Sequence, residues 1–131
     1  MIQWKKFSKS KTNKQSIGSY HEKLAAKFLL DKGLHLIQSN YFCKAGEIDL
    51  IMSDKSQLVF VEVRYRYKSN FGSALESVTA SKQRKLRLCA QHYLLVKGLT
   101  NKVACRFDVI GIEAGSEDEG NEFQWVPNAF Y

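Results

Sequence analysis

Two acidic residues interrupt the most strand-like stretch of this chain, and that conflict limits the folds the chain can enter. Residues 46–66 read GEIDLIMSDKSQLVFVEVRYR. Gly46 to Met52 and Leu58 to Tyr65 are both rich in the β-branched and aromatic residues that suit a pleated, half-buried surface. Ser53-Asp54-Lys55-Ser56-Gln57 between them carries turn-forming side chains. A four-residue hairpin loop, Asp54 to Gln57, sets Ser53 against Leu58, Ile51 against Phe60, Asp49 against Glu62 and Glu47 against Arg64. Opposed residues on a sheet have Cβ atoms roughly 4.5–5.5 Å apart, where like charges repel. Asp49 against Glu62 therefore needs a cation between them or a proton on one of them, unless the face is solvated and the register is off by a residue or two. A hard divalent cation such as Mg²⁺ or Mn²⁺ suits oxygen ligands of this kind. Apolar neighbours should partly bury the pair and separate its pKa values, which favours the metal reading. Glu47 against Arg64 reads as a structural ion pair.

A second acid sits where an apolar residue is expected. Ile17 to Lys32 has helical periodicity, with Gly33 as its stop. Ala25, Ala26 and Leu29 follow Glu22 by three, four and seven positions, so Glu22 shares their apolar face. Charged groups are rarely buried without a partner, so Glu22 either meets something positive or contributes to a site. Ser77 to Val96 reads as another helix, with Thr79 or Ser81 as N-cap, Gly98 as stop and a core stripe of Leu86, Ala90, Tyr93 and Leu94. Lys82, Arg84, Lys85 and Arg87 cluster in its first turns, where cations oppose the helix dipole. A phosphate would relieve that repulsion and take the free N–H groups.

Leu34 to Phe42 alternates as a strand, and Lys102 to Ile112 is a long one whose Arg106 and Asp108 share a face. Glu122 to Val126 reads as an antiparallel edge strand ending at Pro127. Lys68 to Ser73 is a loop by composition, and Glu113 to Asn121 an acidic turn.

Composition enters through charge. The chain of 131 residues fits one domain, and its net charge is +7. All 20 Lys and Arg precede residue 107, against 13 − 6 = 7 acids, a local excess of +13. Such a field attracts polyanions, of which nucleic acid is the commonest. Residues 1–16, with Lys5, Lys6, Lys9, Lys11 and Lys14, read as a basic arm able to contact phosphates, or as a solvated tail; residues 17–131 form the domain. No apolar run approaches the ~20 residues of a membrane span, and the basic N-terminus lacks the apolar segment of a signal peptide, so a cytoplasmic location is expected. Cys43, Cys89 and Cys105 suggest neither a disulfide framework nor a zinc site. His21, His35 and His92 form no ligand set.

The order helix-borne Glu22, strand Asp49, then Glu62-Val63-Arg64 resembles the PD-(D/E)xK nuclease-like fold. More closely it resembles the YraN-like family of small bacterial proteins. The matching stretches are GSYHEKLAAKFLL from Gly18, Gly33 to Asn40, GEIDLIM from Gly46, VFVEVRYR from Val59, VTASKQRKL from Val78 and RFDVI from Arg106. The resemblance implies an α/β fold with a mixed central β-sheet flanked by helices, restriction-endonuclease-like, as in archaeal Holliday-junction resolvases. It also implies a Mg²⁺- or Mn²⁺-dependent endonuclease acting on structured DNA, with Glu22, Asp49, Glu62 and the Val63 carbonyl as metal ligands. Arg64 stands where such nucleases carry a lysine, and a guanidinium is never neutral, so it cannot serve as a general base. Arg64 can hold phosphate, with Lys82 or Lys85 in the lysine's place; otherwise the protein binds nucleic acid without cutting it. Lys5, Lys6, Arg66, Lys82, Arg84, Lys85 and Arg87 are the expected nucleic-acid contacts. Resolvases of similar fold work as dimers, though nothing in this sequence demands a homodimer.

Overall fold

The computed structural model describes residues 13–67, 73–115 and 120–131. Within these, five strands form one sheet: β1 (His35–Cys43), β2 (Gly46–Asp54), β3 (Gln57–Tyr67), β4 (Ala104–Ala114) and β5 (Asn121–Phe130), in that spatial order. Only β3 and β4 run parallel; the other neighbours are antiparallel. Parallel strands need a crossover, supplied here by a 3₁₀ turn (Leu75–Ser77) and helix α2 (Ala80–Val96). Helix α1 (Asn13–Asp31) precedes the sheet. The expected mixed sheet with flanking helices is the fold observed.

Among the described residues, each face of the sheet carries one helix and one core. Ala25, Ala26 and Leu29 of α1 pack with Leu50, Met52, Val59, Val61, Ile110 and Ile112. On the other face Leu86, Cys89, Ala90 and Tyr93 of α2 pack with Ile51, Leu58, Phe60 and Val109. The central strands β3 and β4 alternate between these cores, which is why they are apolar on both faces.

The elements differ from the sequence reading at their ends. Helix α1 begins at Asn13, so the last four residues assigned to the basic arm are helical; the rest of that arm, Lys5 and Lys6 included, lies outside the described residues. The β2–β3 register is the expected one, Ser53 against Leu58 and Ile51 against Phe60, but Asp54 pairs with Gln57. The loop is thus two residues rather than four, and Lys55 takes the positive φ, 59°, that such loops need. Helix α2 starts at Ala80 after the separate 3₁₀ turn, capped by Thr79, whose hydroxyl oxygen accepts the Lys82 N–H at 3.2 Å. Gly33 and Gly98 end the two helices in the left-handed conformation (φ 101° and 69°), as expected. Strand β5 continues through Pro127 to Phe130, because an edge strand has an outer side where a missing N–H costs nothing. Residues 68–72, in the loop after β3, and 116–119, in the acidic turn, are outside the described residues.

One expectation about cysteine fails outright. Cys43 at the end of β1 and Cys89 in α2 form a disulfide with Cα atoms 5.9 Å apart, and Cys105 is free. Sequence spacing hid the pair because 46 residues separate it and only the crossover brings α2 over β1.

Arg106 and Asp108 pair, as their shared face suggests. The fully buried Asp108 accepts from Arg106 Nε at 2.9 Å and a second guanidinium nitrogen at 3.2 Å, from Trp125 Nε1 at 3.0 Å and from the Asn128 N–H at 2.9 Å. The last donor is available because β5 bulges between its pairings with Phe107 and Val109. This network ties β4 to β5 and is structural.

Candidate metal centre

The site forms where β2 and β3 part. Their ladder runs from Asp54–Gln57 to Leu50–Val61 and stops. Beyond it the Val63 N–H donates to Asp49 Oδ2 at 2.8 Å, a side chain replacing the next strand's carbonyl. The alternation of β2 breaks at the same point. Ile48 and Leu50, two residues apart, would share a face in a regular strand, yet they enter opposite cores. On β1, Asn40 adopts φ 54° beside this break. The Asp49 carboxyl is therefore not on a flat sheet surface but in the gap where β2 leaves β3, within a sheet whose outer ladders continue.

Other acids converge there. Glu22 from α1, and Glu47 and Asp49 from β2, each present an oxygen within 4.8 Å of the others. Glu62, 3 % exposed, lies beside Asp49, and its Oε1 is buried with no hydrogen-bond donor. Burial pushes the Asp49 carboxyl well above the usual carboxylate range, and the neighbouring Glu62 pushes it further, against the lowering effect of the Val63 N–H. Glu22 adds repulsion, and a proton held on Asp49 would be shared with Glu62. The proton that the opposed pair requires without a cation is thus the state Asp49 favours.

Cations line the other side of Glu62. Arg64 reaches its Oε2 at 3.3 Å and Lys82 Nζ approaches the same oxygen at 3.6 Å. Arg64 Nε also donates to Ser77 Oγ at 3.0 Å, and that hydroxyl donates to the Ala74 carbonyl at 2.6 Å. The 3₁₀ turn is pressed onto β4 at Gly111, where an added Cβ would lie 2.4 Å from the Ala74 Cβ. That close approach is the reason Gly111 carries no side chain, and it fixes Ser77 and hence Arg64.

The sequence-derived residues therefore separate into groups. Glu22, Asp49, Glu62, Arg64 and Lys82 come together, and Val63 joins them through its N–H. Arg84 and Lys85 are exposed on α2. Arg66, expected as a nucleic-acid contact, lies mostly covered beside Glu113, 3.7 Å away. Arg87 donates to the Tyr131 carbonyl at 2.9 Å. The expected Glu47–Arg64 ion pair is replaced: Glu47 joins the acids and accepts from Asn40 Nδ2 at 2.7 Å. Its shared parity with Asp49 was the signal for this. The ladder's early end, invisible in sequence, is what freed Glu47 from a partner on β3. Ser77, which holds Arg64, carried no signal at all.

An all-oxygen donor set of this kind, with one buried carboxylate oxygen left without a donor, fits a hard divalent cation and no soft one.

Residues 21–112, which include every member of the cluster, match the family model described as "Uncharacterised protein family UPF0102". The chain is 49 % identical over 113 residues to a UPF0102 protein of Nitrosococcus oceani, covering 86 % of this chain and 90 % of the relative. A UPF0102 protein of Alcanivorax borkumensis is 44 % identical over 119 residues (91 % and 94 %), and one of Saccharophagus degradans 47 % over 113 residues (86 % and 91 %).

Proposed function

This chain belongs to the bacterial family UPF0102, the YraN-like proteins, and on that premise we propose that it is a divalent-metal-dependent endonuclease of the PD-(D/E)xK type acting on structured DNA. The observation that carries the reading is the convergence of Glu22, Glu47 and Asp49 at the parting of β2 and β3, with Glu62 beside Asp49 and held by Arg64 and Lys82. Four acids in one place raise the energy of the free protein, so such a cluster is better matched to a cation than to an empty surface. Asp49 and Glu62 would hold Mg²⁺ or Mn²⁺, with Glu22 and Glu47 completing the oxygen shell. Bound there, the ion would supply Lewis acidity towards a phosphoryl oxygen and a lowered pKa for water.

The chain's own side chains divide the remaining work. Arg64, locked by Ser77, holds a non-bridging phosphate oxygen through a delocalised, permanently charged group. Lys82 reaches Glu62 from α2 and stands in for the motif lysine that position 64 lacks. Arg84 and Lys85 extend the cationic face along the helix. No described helix is long and apolar enough to cross a membrane, and the reading takes DNA as the partner. Cutting two strands would take two copies, as in resolvases of similar fold.

The test is calorimetric titration of Mg²⁺ and Mn²⁺ into wild type and Asp49→Ala/Glu62→Ala, followed by cleavage of branched DNA. Saturable binding and cutting in the wild type alone is the expected result. Cutting that survives the double substitution sinks the assignment. A second reading, a nucleic-acid-binding protein that keeps the nuclease fold without activity, draws on Arg64, which cannot take up a proton. It predicts salt-dependent DNA binding that ignores divalent metal.

A further inference from the structure

Where α1 meets β3 lies an aromatic group that the proposed reaction does not use. His21 stacks face to face on Tyr65, ring centroids 3.6 Å apart and planes at 17°. Tyr20 meets His21 edge-on at 5.5 Å and 65°. Neither tyrosine is a core residue, with Tyr20 57 % exposed and Tyr65 38 % exposed. Tyr20 also borders a cleft of about 270 Å³ whose other walls, among the described residues, are Lys23, Leu24 and Lys27. These are positions i, i+3, i+4 and i+7 of α1, one continuous stripe. The core face of the same helix is Ala25, Ala26 and Leu29, and Leu24 packs partly against that core. The stripe therefore borders the core at Leu24 and opens to solvent at Tyr20 and Lys27, combining an aromatic ring, an apolar floor and two cations.

We propose that Tyr20, with the His21–Tyr65 stack behind it, is a platform for an unpaired base of single-stranded DNA, and that Lys23 and Lys27 take phosphates of the same strand. The chemistry of the cleft selects this occupant. A nucleobase offers a flat face to a tyrosine ring, and every base has one, so stacking needs no sequence. The two lysines match the charge of the strand that carries the base. Tyr20 is held edge-on by a ring pair that is itself fixed, so little ordering remains for binding to impose. Tyr20 and Glu22 are two positions apart on α1 and so point to nearly opposite sides of the helix, which puts the platform on the outer side of α1 rather than over the acids. The inference rests on the nucleic-acid reading and names the form of strand bound, one with an unpaired nucleotide.

The experiment is binding of a single-stranded oligodeoxynucleotide carrying 2-aminopurine to full-length protein in EDTA, read by quenching of its fluorescence. Without divalent metal no cleavage interferes, and the result is independent of the nuclease assignment. Wild type and Tyr20→Phe should quench alike. Tyr20→Ala should bind about 5- to 150-fold more weakly, the span of an aromatic–base stack, with an unchanged salt slope. Lys23→Ala and Lys27→Ala should each flatten that slope by about 0.7, one phosphate contact on a single strand. Equal affinity and quenching for Tyr20→Ala and wild type would overturn the platform, even if the acids prove to be a metal site. Quenching that depends on Tyr20 in a protein that takes no metal would keep the platform and remove the nuclease.

Discussion

Replacing Asp49 by Asn should make the metal-free protein more stable, although Asp49 is central to its proposed work. The aspartate is enclosed, repelled by Glu62 and Glu22, and driven to keep a proton. Asparagine has the same shape. Its carbonyl oxygen can still accept the Val63 N–H, and its amide can donate towards Glu62 at any pH, whereas Asp49 does so only while it keeps its proton. Keeping a buried acceptor satisfied without a retained proton is worth about 1–3 kcal/mol. For a domain of this length each kcal/mol moves the melting temperature by roughly 4 °C, so a rise of about 4–12 °C is expected near pH 8. The sign of the pH dependence follows from linkage. Below the ordinary carboxylate range, folded and unfolded chains both hold the proton and Asp49 costs nothing. As pH rises past that range the unfolded chain releases the proton while the folded one retains it, so wild-type stability falls until the raised folded pKa is passed. The gap between Asp49→Asn and wild type should therefore be small near pH 4 and widen towards pH 8. Thermal melts by circular dichroism in EDTA measure it. A variant less stable than wild type, or a gap that ignores pH, would refute the account of Asp49 as a strained, proton-holding acid.

Other outcomes follow from the same contacts. Gly111→Ala should cost about 1–3 kcal/mol in denaturant unfolding and weaken DNA binding, because the new Cβ displaces Ala74 and with it Ser77 and Arg64. Asp108→Ala should cost about 3–5 kcal/mol by leaving Arg106 largely buried without its main partner; a loss under 1 kcal/mol would show that Asp54 alone satisfies that arginine. Reducing Cys43–Cys89, which closes a 46-residue separation, should lower stability by about 2–4 kcal/mol, and Cys105→Ser should leave that loss unchanged. Removing Arg84 and Lys85 together should flatten the salt dependence of duplex binding by about 2, whereas Arg87→Ala, engaged with Tyr131, should lower stability instead.

How much of this was legible in the chain depends on the range of the forces involved. Periodicity located the two helices and five strands of the described residues, because burial on one face or two leaves a local pattern. The β2–β3 register was readable too, since Ile51 and Phe60 must reach the same core and a slip by one residue would turn every side chain over. The same register brought Asp49 and Glu62 together on paper. Glu22 could be singled out because a carboxylate on an apolar stripe needs a reason.

Tertiary structure decided the rest. Whether β2 and β3 continue as a ladder or part at Leu50 depends on Asp49 replacing a carbonyl for Val63, a choice between nearly equal hydrogen bonds that no local pattern records. That parting turned Glu47 from an ion-pair partner into a member of the acid cluster. The crossover through α2 set Lys82 on Glu62, joined Cys43 to Cys89 and pinned Arg64 through a 3₁₀ turn seated on Gly111. The sequence by itself determined which residues carry charge into a place that resists it. Only packing between elements far apart in the chain determined which of them meet, because contact across the gap between two strands is fixed by the docking of whole helices and strands.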